Sequence, residues 1–275
     1  MADDLHETWD EIARHWDDWG PPLRPSGEDL RIMRLALKQW RPETTTQTVR
    51  VFLCGVTPEI VLMDWPFPID LVGMDHVESM VRVVWPGDVA GVRRARVGNW
   101  MKSGLPARSR DVVMGDGGFA FLDPVVQRAL TGSMRELLTP GGLFLYRHYA
   151  QLEPRETLEQ VLSAARAGRI GSFHVFKWRV AMALQPDSHT GVRLHDIWQV
   201  CADAALDPTR LPQPGWSARA VDTIRFYRDR DARLYFPTLD EFREILSEDF
   251  DRIHVEFGQY ELAERCPILS ARPRS

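Results

Sequence analysis

The sequence predicts an α/β protein built on a doubly wound, mostly parallel sheet, and three observations carry that expectation. The first is the stretch from Val49 to Asp75. A β-branched and apolar run, Val49-Arg50-Val51-Phe52-Leu53-Cys54, reaches a turn at Gly55-Val56-Thr57-Pro58. An apolar crossover, Glu59-Ile60-Val61-Leu62-Met63, then leads to a second run, Ile69 to Met74, that stops on Asp75. Strand, glycine turn, crossover and a second strand ending in a carboxylate form a βαβ unit suited to a nucleoside-type ligand. The second observation is that strand–helix alternation continues five times over roughly 100 residues, the signature of a parallel sheet. The third is a pair of strand-like runs near the end, Arg252 to Phe257 and Pro267 to Arg272, which predict a closing antiparallel hairpin.

Taken in order, Trp9, Ile12, Trp16 and Trp19 recur at i, i+3, i+7 and i+10, the apolar face of one helix ended by Gly20-Pro21-Pro22. This helix is expected either to pack on the core or to form a lid over a pocket. Ser26-x-x-Asp29 resembles a capping box opening the next helix, whose face is Leu30, Met33, Leu37 and Trp40. A polar linker, Arg41 to Thr48, enters the first strand. After Asp75 a helix is expected from His76 to Val84, then a short third strand at Ala95-Arg96-Val97-Gly98. The run Asp111-Val112-Val113-Met114-Gly115-Asp116 reads as a fourth strand that ends at Gly117-Gly118. Pro124 to Leu138 is amphipathic and stops at Thr139-Pro140-Gly141-Gly142, before a fifth strand at Leu143-Phe144-Leu145-Tyr146.

Beyond Tyr149 the spacing changes, because far more chain precedes the next strand than the roughly 15–30 residues of a simple crossover. Helices are expected at Glu156 to Ala167, Phe173 to Leu184 (apolar face Phe173, Phe176, Val180, Leu184) and Leu194 to Ala205. Thr238-x-x-Glu241 resembles a second capping box, opening a helix to Leu246. The expected organisation is an N-terminal helical lid (1–48), a ligand-binding α/β core (49–150), a helical insert capping the substrate side (151–237), and a C-terminal helix with the closing strands (238–275).

Composition narrows the function. The 275 residues carry a net charge of −5, with 44 % hydrophobic and 27 % charged residues. That balance fits a globular domain and argues against a polyanion binder, so no nucleic acid is expected as partner. Arg93, Arg94 and Arg96, the short basic cluster near the core unit, read as a solvated surface turn. Cys54, Cys201 and Cys266 show no paired spacing and read as reduced thiols, Cys54 as a small core hydrophobe. No segment approaches the ~18 apolar residues of a membrane span. The acidic start, Met1-Ala2-Asp3-Asp4, lacks a basic leader. A cytoplasmic protein is expected; no metal site is expected, and the oligomeric state is left open.

Together the motifs resemble class I S-adenosylmethionine (SAM)-dependent methyltransferases, over about residues 5–150 in order and again in the final strands. That resemblance implies a Rossmann-like, seven-stranded sheet with SAM as cofactor. The family's aromatic-Asp-x-x-Ala-x-x-aromatic-Asp helix is similar to Trp9-Asp10-Glu11-Ile12-Ala13-Arg14-His15-Trp16-Asp17, implying that Trp16 closes over the methionyl end. The first turn keeps a single glycine, in Gly55-Val56-Thr57-Pro58-Glu59, so the resemblance assigns cofactor contact to Gly55, Val56, Thr57 and Glu59. Asp75 matches the acid that binds ribose. Asp75-His76-Val77-Glu78-Ser79-Met80 resembles the family's D-x-S-x-x-M, which sets His76 beside the ribose acid and Met80 against adenine. Gly98-Asn99-Trp100 resembles Gly-Asp-aromatic, with the Asn99 side-chain oxygen facing the adenine amine. Asp116-Gly117-Gly118-Phe119 falls beside the transferring methyl, and Leu137-Leu138-Thr139-Pro140-Gly141-Gly142 resembles L-L-x-P-G-G.

Methyl transfer from a sulfonium needs alignment, exclusion of water and, for poor nucleophiles, a base. The candidate bases are His148 and Asp116, with His195 less favoured. Arg147, Lys177 and Arg179 are candidate holders of an acidic substrate. A helical insert and a tryptophan lid favour a small-molecule acceptor. Three alternatives stand beside this reading. A dinucleotide dehydrogenase would need G-x-G-x-x-G, which Gly55-Val56-Thr57-Pro58-Glu59-Ile60 lacks. The others are a non-catalytic SAM- or metabolite-binding protein, and an enzyme that consumes SAM without transferring methyl.

Overall fold

The computed structural model describes residues 2–41, 47–206 and 216–274. Strands β1 (Val49–Cys54), β2 (Ile69–Asp75), β3 (Arg93–Val97), β4 (Arg110–Asp116), β5 (Leu138–Arg147), β8 (Phe250–Glu256) and β9 (Ile268–Pro273) form one sheet in the order β3-β2-β1-β4-β5-β9-β8. The first five are parallel; β9 runs antiparallel to β5, and β8 to β9. This is the doubly wound sheet with a closing antiparallel pair that the sequence predicts. A two-stranded ribbon, β6 (Val192–Arg193) with β7 (Arg233–Leu234), lies outside it.

The central strands are buried on both faces, so they are continuously apolar rather than alternating. On one face Val51, Leu53, Leu71, Met114 and Leu145 pack with Ile32, Met33 and Leu37 of α2 (Gly27–Trp40). On the other, Phe52, Val72, Val113 and Phe144 pack with Leu130 and Met134 of α4 (Pro124–Leu137) and Phe242 of α9 (Leu239–Ser247). The helix starts are fixed by side-chain caps. Ser26 with Asp29 and Thr238 with Glu241 form the expected capping boxes, Thr157 with Gln160 forms another at α5 (Leu158–Arg166), and Asp123 caps α4 through two N–H groups.

Several expectations are corrected. The N-terminal helix α1 (Ala2–Arg14) ends before Trp16, which opens a 3-10 turn, Trp16–Asp18; the aromatic face is continued by the turn and not by the helix. The helix expected from His76 begins at Glu78 and continues as a π turn over Met80–Val84, closed by Trp85 N–H to the Met80 carbonyl. Arg93, Arg94 and Arg96 lie on β3, an edge strand, and Arg94 Nη1 donates to Asp70 Oδ1 at 2.6 Å. Charge on an edge discourages pairing with another chain. Strand pairing of β5 begins at Leu138, and Thr139-Pro140-Gly141-Gly142 is spanned by a register shift within the strand. Part of the expected polar linker, 42–46, and of the insert, 207–215, lies outside the described residues.

Helix α6 (Phe173–Leu184) spans the predicted residues but is buried nearly all round, from Phe173 and His174 through Lys177 and Trp178 to Met182. That pattern belongs to a central helix rather than a surface one. It packs with α5, α7 (Leu194–Leu206) and α8 (Ala218–Asp222), in a core that also takes in Ile12, Trp19 and Tyr227. The remaining short helix, α3 (Pro58–Val61), starts at Pro58 directly after the first turn.

Candidate active site

The sheet order reverses direction between β1 and β4, and ligands of doubly wound folds bind beyond the carboxyl ends of the strands at such a point. A cavity of about 270 Å³ opens there. Cys54 and Gly55 follow from β1, Asp75 from β2, Gly98, Asn99 and Trp100 from the end of β3, and Asp116, Gly117 and Gly118 from β4. Trp9, Ile12, Trp16 and Trp19 face it from the N-terminal segment, Tyr149 from beyond β5, Trp178 from α6 and Tyr227 from the 3-10 turn Thr223–Tyr227.

The glycines are fixed by backbone and space. Gly55 holds φ +107°, a region closed to L side chains. Gly117 has φ +66°, and a Cβ there would stand 2.6 Å from Tyr149 Cε2. A Cβ on Gly118 would stand 2.7 Å from Trp100 Cη2, so the six-membered ring of Trp100 lies close against this backbone. Trp100 is also pinned at its other edge, Nε1 donating to the Met74 carbonyl at 2.6 Å.

Asp75 is 8 % exposed, and its Oδ1 accepts the Val77 N–H at 3.0 Å. Burial pushes its carboxyl up to about 6, against the pull of backbone N–H groups. His76 beside it is half exposed, and burial with the nearby His6 lowers it. Val56, Thr57 and Met80 line the cavity as expected, Met80 packed with Val56 and Val77.

Other expected site residues are placed differently. Asn99 lines the cavity, but its Oδ1 already accepts the Met101 N–H at 2.9 Å as the cap of a 3-10 turn. Glu59 does not line the cavity; it receives Arg24 Nε at 2.6 Å. Arg24 also donates Nη1 to the carbonyls of Trp16 and Trp19 at 3.0 and 3.2 Å, and its guanidinium lies 4.9 Å from the Trp16 ring centre. Glu59 therefore acts through Arg24 on the aromatic turn.

The candidate bases differ in their surroundings. His148 is fully buried, stacked on Phe242 at 3.7 Å between ring centres, with neither ring nitrogen hydrogen-bonded. Burial drives it down to about 3, so it is a neutral core ring outside the cavity. Asp116 does face the cavity, but Oδ1 accepts Arg147 Nε at 2.5 Å. Burial raises its carboxyl to about 6 and Arg147 pulls the other way. His195 Nδ1 accepts the Asp229 N–H at 3.0 Å, and the ring packs on Trp198 away from the cavity. The three candidate substrate cations are committed internally: Arg147 to Asp116, Arg179 to Glu156, and Lys177 to Thr223 Oγ1 at 3.1 Å.

Sequence reasoning did not find Arg24, Tyr149, Trp178 or Tyr227. Arg24 follows the predicted break at Gly20-Pro21-Pro22, and the others reach the cavity only through the packing of distant segments; no local pattern marks them.

No protein-family model matches the sequence, and no curated protein matches it either. Solved structures do match in fold. A Rhodobacter sphaeroides structure assigned to Zn-dependent alcohol dehydrogenases aligns at TM-score 0.58 with 14 % identity, covering 99 % of this chain and 98 % of that one. The carbon methyltransferase CurJ aligns at 0.52 with 11 % identity, over 92 % of this chain and 56 % of its own. A Bordetella parapertussis protein described as a possible exported protein aligns at 0.51 with 18 % identity, over 90 % and 68 %. The chain has the fold of class I SAM-dependent methyltransferases. Among the described residues no group of three or more His, Cys, Asp or Glu side chains is gathered as a metal site. No helix among them is long and apolar enough to cross a membrane.

Proposed function

We propose that the chain is a SAM-dependent methyltransferase acting on a small-molecule acceptor. The observation that carries this reading is the buried Asp75 carboxylate at the end of β2. It faces a cavity that Gly55, Trp100 and Gly117 also line, each of them held in place. This buried carboxylate accepts the Val77 N–H and lies 3.7 Å from His76 Nδ1, which leaves acceptor capacity to spare, and burial raises its carboxyl. Two vicinal hydroxyls of a ribose would supply them. Trp100 offers a fixed flat face for a purine ring, and Met80 an apolar one.

When bound, SAM supplies a methyl group already activated on a sulfonium. What the chain contributes is alignment and dryness. Arg24 ties the Trp16–Trp19 turn to Glu59 and so closes the cavity over the strand ends. With His148 in the core and Asp116 paired to Arg147, the reaction rests on proximity and exclusion of water rather than on a general base.

The test is calorimetric titration of S-adenosylhomocysteine (SAH) into the wild type and Asp75→Ala. Micromolar binding that weakens at least tenfold, about 1.4 kcal/mol, in the variant is the expected outcome. Wild-type affinity should also fall as pH drops below about 6, where Asp75 takes up its proton. Absence of heat and of thermal shift in the wild type rejects the cofactor. Incubation with SAM alone, followed by mass spectrometry, separates methyl transfer from intramolecular consumption.

A further inference from the structure

Six aromatic rings share the part of the cavity away from the strand ends: Trp9, Trp16 and Trp19 from the N-terminal segment, Tyr149, Trp178 and Tyr227. Charge there is spoken for. Arg24 is neutralised by Glu59 and Asp116 by Arg147, so among the described residues of this part of the cavity both charges are paired. The Tyr227 ring is 2 % exposed and lines the cavity. The rings already meet guanidinium groups: Arg24 lies over Trp16 at 4.9 Å and Arg147 over Tyr149 at 5.3 Å.

Resting on the SAM reading above, we propose that the acceptor is an uncharged amine on an apolar scaffold, methylated at nitrogen within this aromatic enclosure. The nitrogen lone pair forms the new N–C bond while the S–C bond of the donor breaks with its electron pair going to sulfur. Positive charge passes from sulfur to nitrogen, so the enclosure gains no net charge. Electron-rich ring faces stabilise the ammonium as it forms. No base is needed for bond formation, which fits a cavity with none to offer; a secondary amine loses its proton to water after release.

The test uses the protein saturated with SAH. Benzyltrimethylammonium, a mimic of a methylated product, is titrated in alongside benzyl alcohol and benzoate of similar size. The cation is expected to bind at least tenfold more tightly than either. Trp178→Leu should weaken the cation at least fivefold while SAH affinity stays within twofold, and Trp9→Leu, at a less buried ring, should do the same if Trp178→Leu fails to fold. Tyr227→Phe keeps the ring and should keep cation binding. Equal or tighter binding of benzyl alcohol or benzoate, or indifference of the cation to both leucine variants, overturns the amine proposal alone. Failure of SAH to bind the wild type overturns the SAM reading and this proposal with it.

Discussion

At the scale of single residues, the side chains most reactive in sequence are those the fold spends on itself. His148 is the clearest case. It follows β5 directly, where a catalytic base would be expected, yet its ring lies flat on Phe242 with both nitrogens unpaired. Such a histidine disfavours its own protonation in the folded state. Its folded pKa, about 3, lies below the ordinary 6.5, so between those values the unfolded chain binds more protons and stability is lost as pH falls. At pH 5 the penalty is about 2 kcal/mol, and it vanishes above pH 7. His148→Phe keeps the stacking and removes the penalty. Denaturant unfolding should therefore show a stabilisation at pH 5 that is much smaller at pH 7.5, with SAH affinity unchanged at either pH. A loss of methyl transfer in this variant would restore His148 as a base.

Elements show which parts of the fold were legible. The β1–turn–β2 unit was readable because both strands are buried on both faces and the turn needs a glycine at φ +107°. The capping boxes were readable because a cap is a local hydrogen-bond pattern. The aromatic turn was only half readable: the spacing of Trp9, Ile12, Trp16 and Trp19 marks a shared face, but not the end of the helix at Arg14. What holds the turn is Arg24 reaching to Glu59, 35 positions on, which no periodicity records. The cap that Asn99 makes, its side-chain oxygen accepting the Met101 N–H, was not readable for a related reason. Arg24→Ala deletes the ion pair and two hydrogen bonds to carbonyls, contacts worth roughly 1–3 kcal/mol together. Faster hydrogen exchange over residues 15–20, with β1 and β4 unaffected and SAH bound several-fold more weakly, is the expected result. Uniformly faster exchange would mean that Arg24 supports the whole fold and not this turn.

For the whole molecule, the decisive feature is that three separate stretches of chain meet around one cavity. The strand ends form its floor, the N-terminal segment one wall, and α6 with the Thr223–Tyr227 turn another. Helix α1 packs against both the Met80–Val84 turn and the Thr223–Tyr227 turn, so it bridges the sheet and the helical region. A ligand filling the cavity therefore contacts segments that are distant in sequence and must order them together. By mass action, SAH at a hundred times its Kd stabilises the folded chain by about 2.7 kcal/mol, whichever contacts provide the affinity. Where that stabilisation falls depends on the architecture. With SAH and benzyltrimethylammonium both bound, exchange protection should rise at the β1 and β2 ends, in residues 8–19, and in residues 176–180 and 223–227. Protection confined to the strand ends would show that the aromatic walls close on something other than the cofactor-loaded floor, and would separate the acceptor region energetically from the cofactor site.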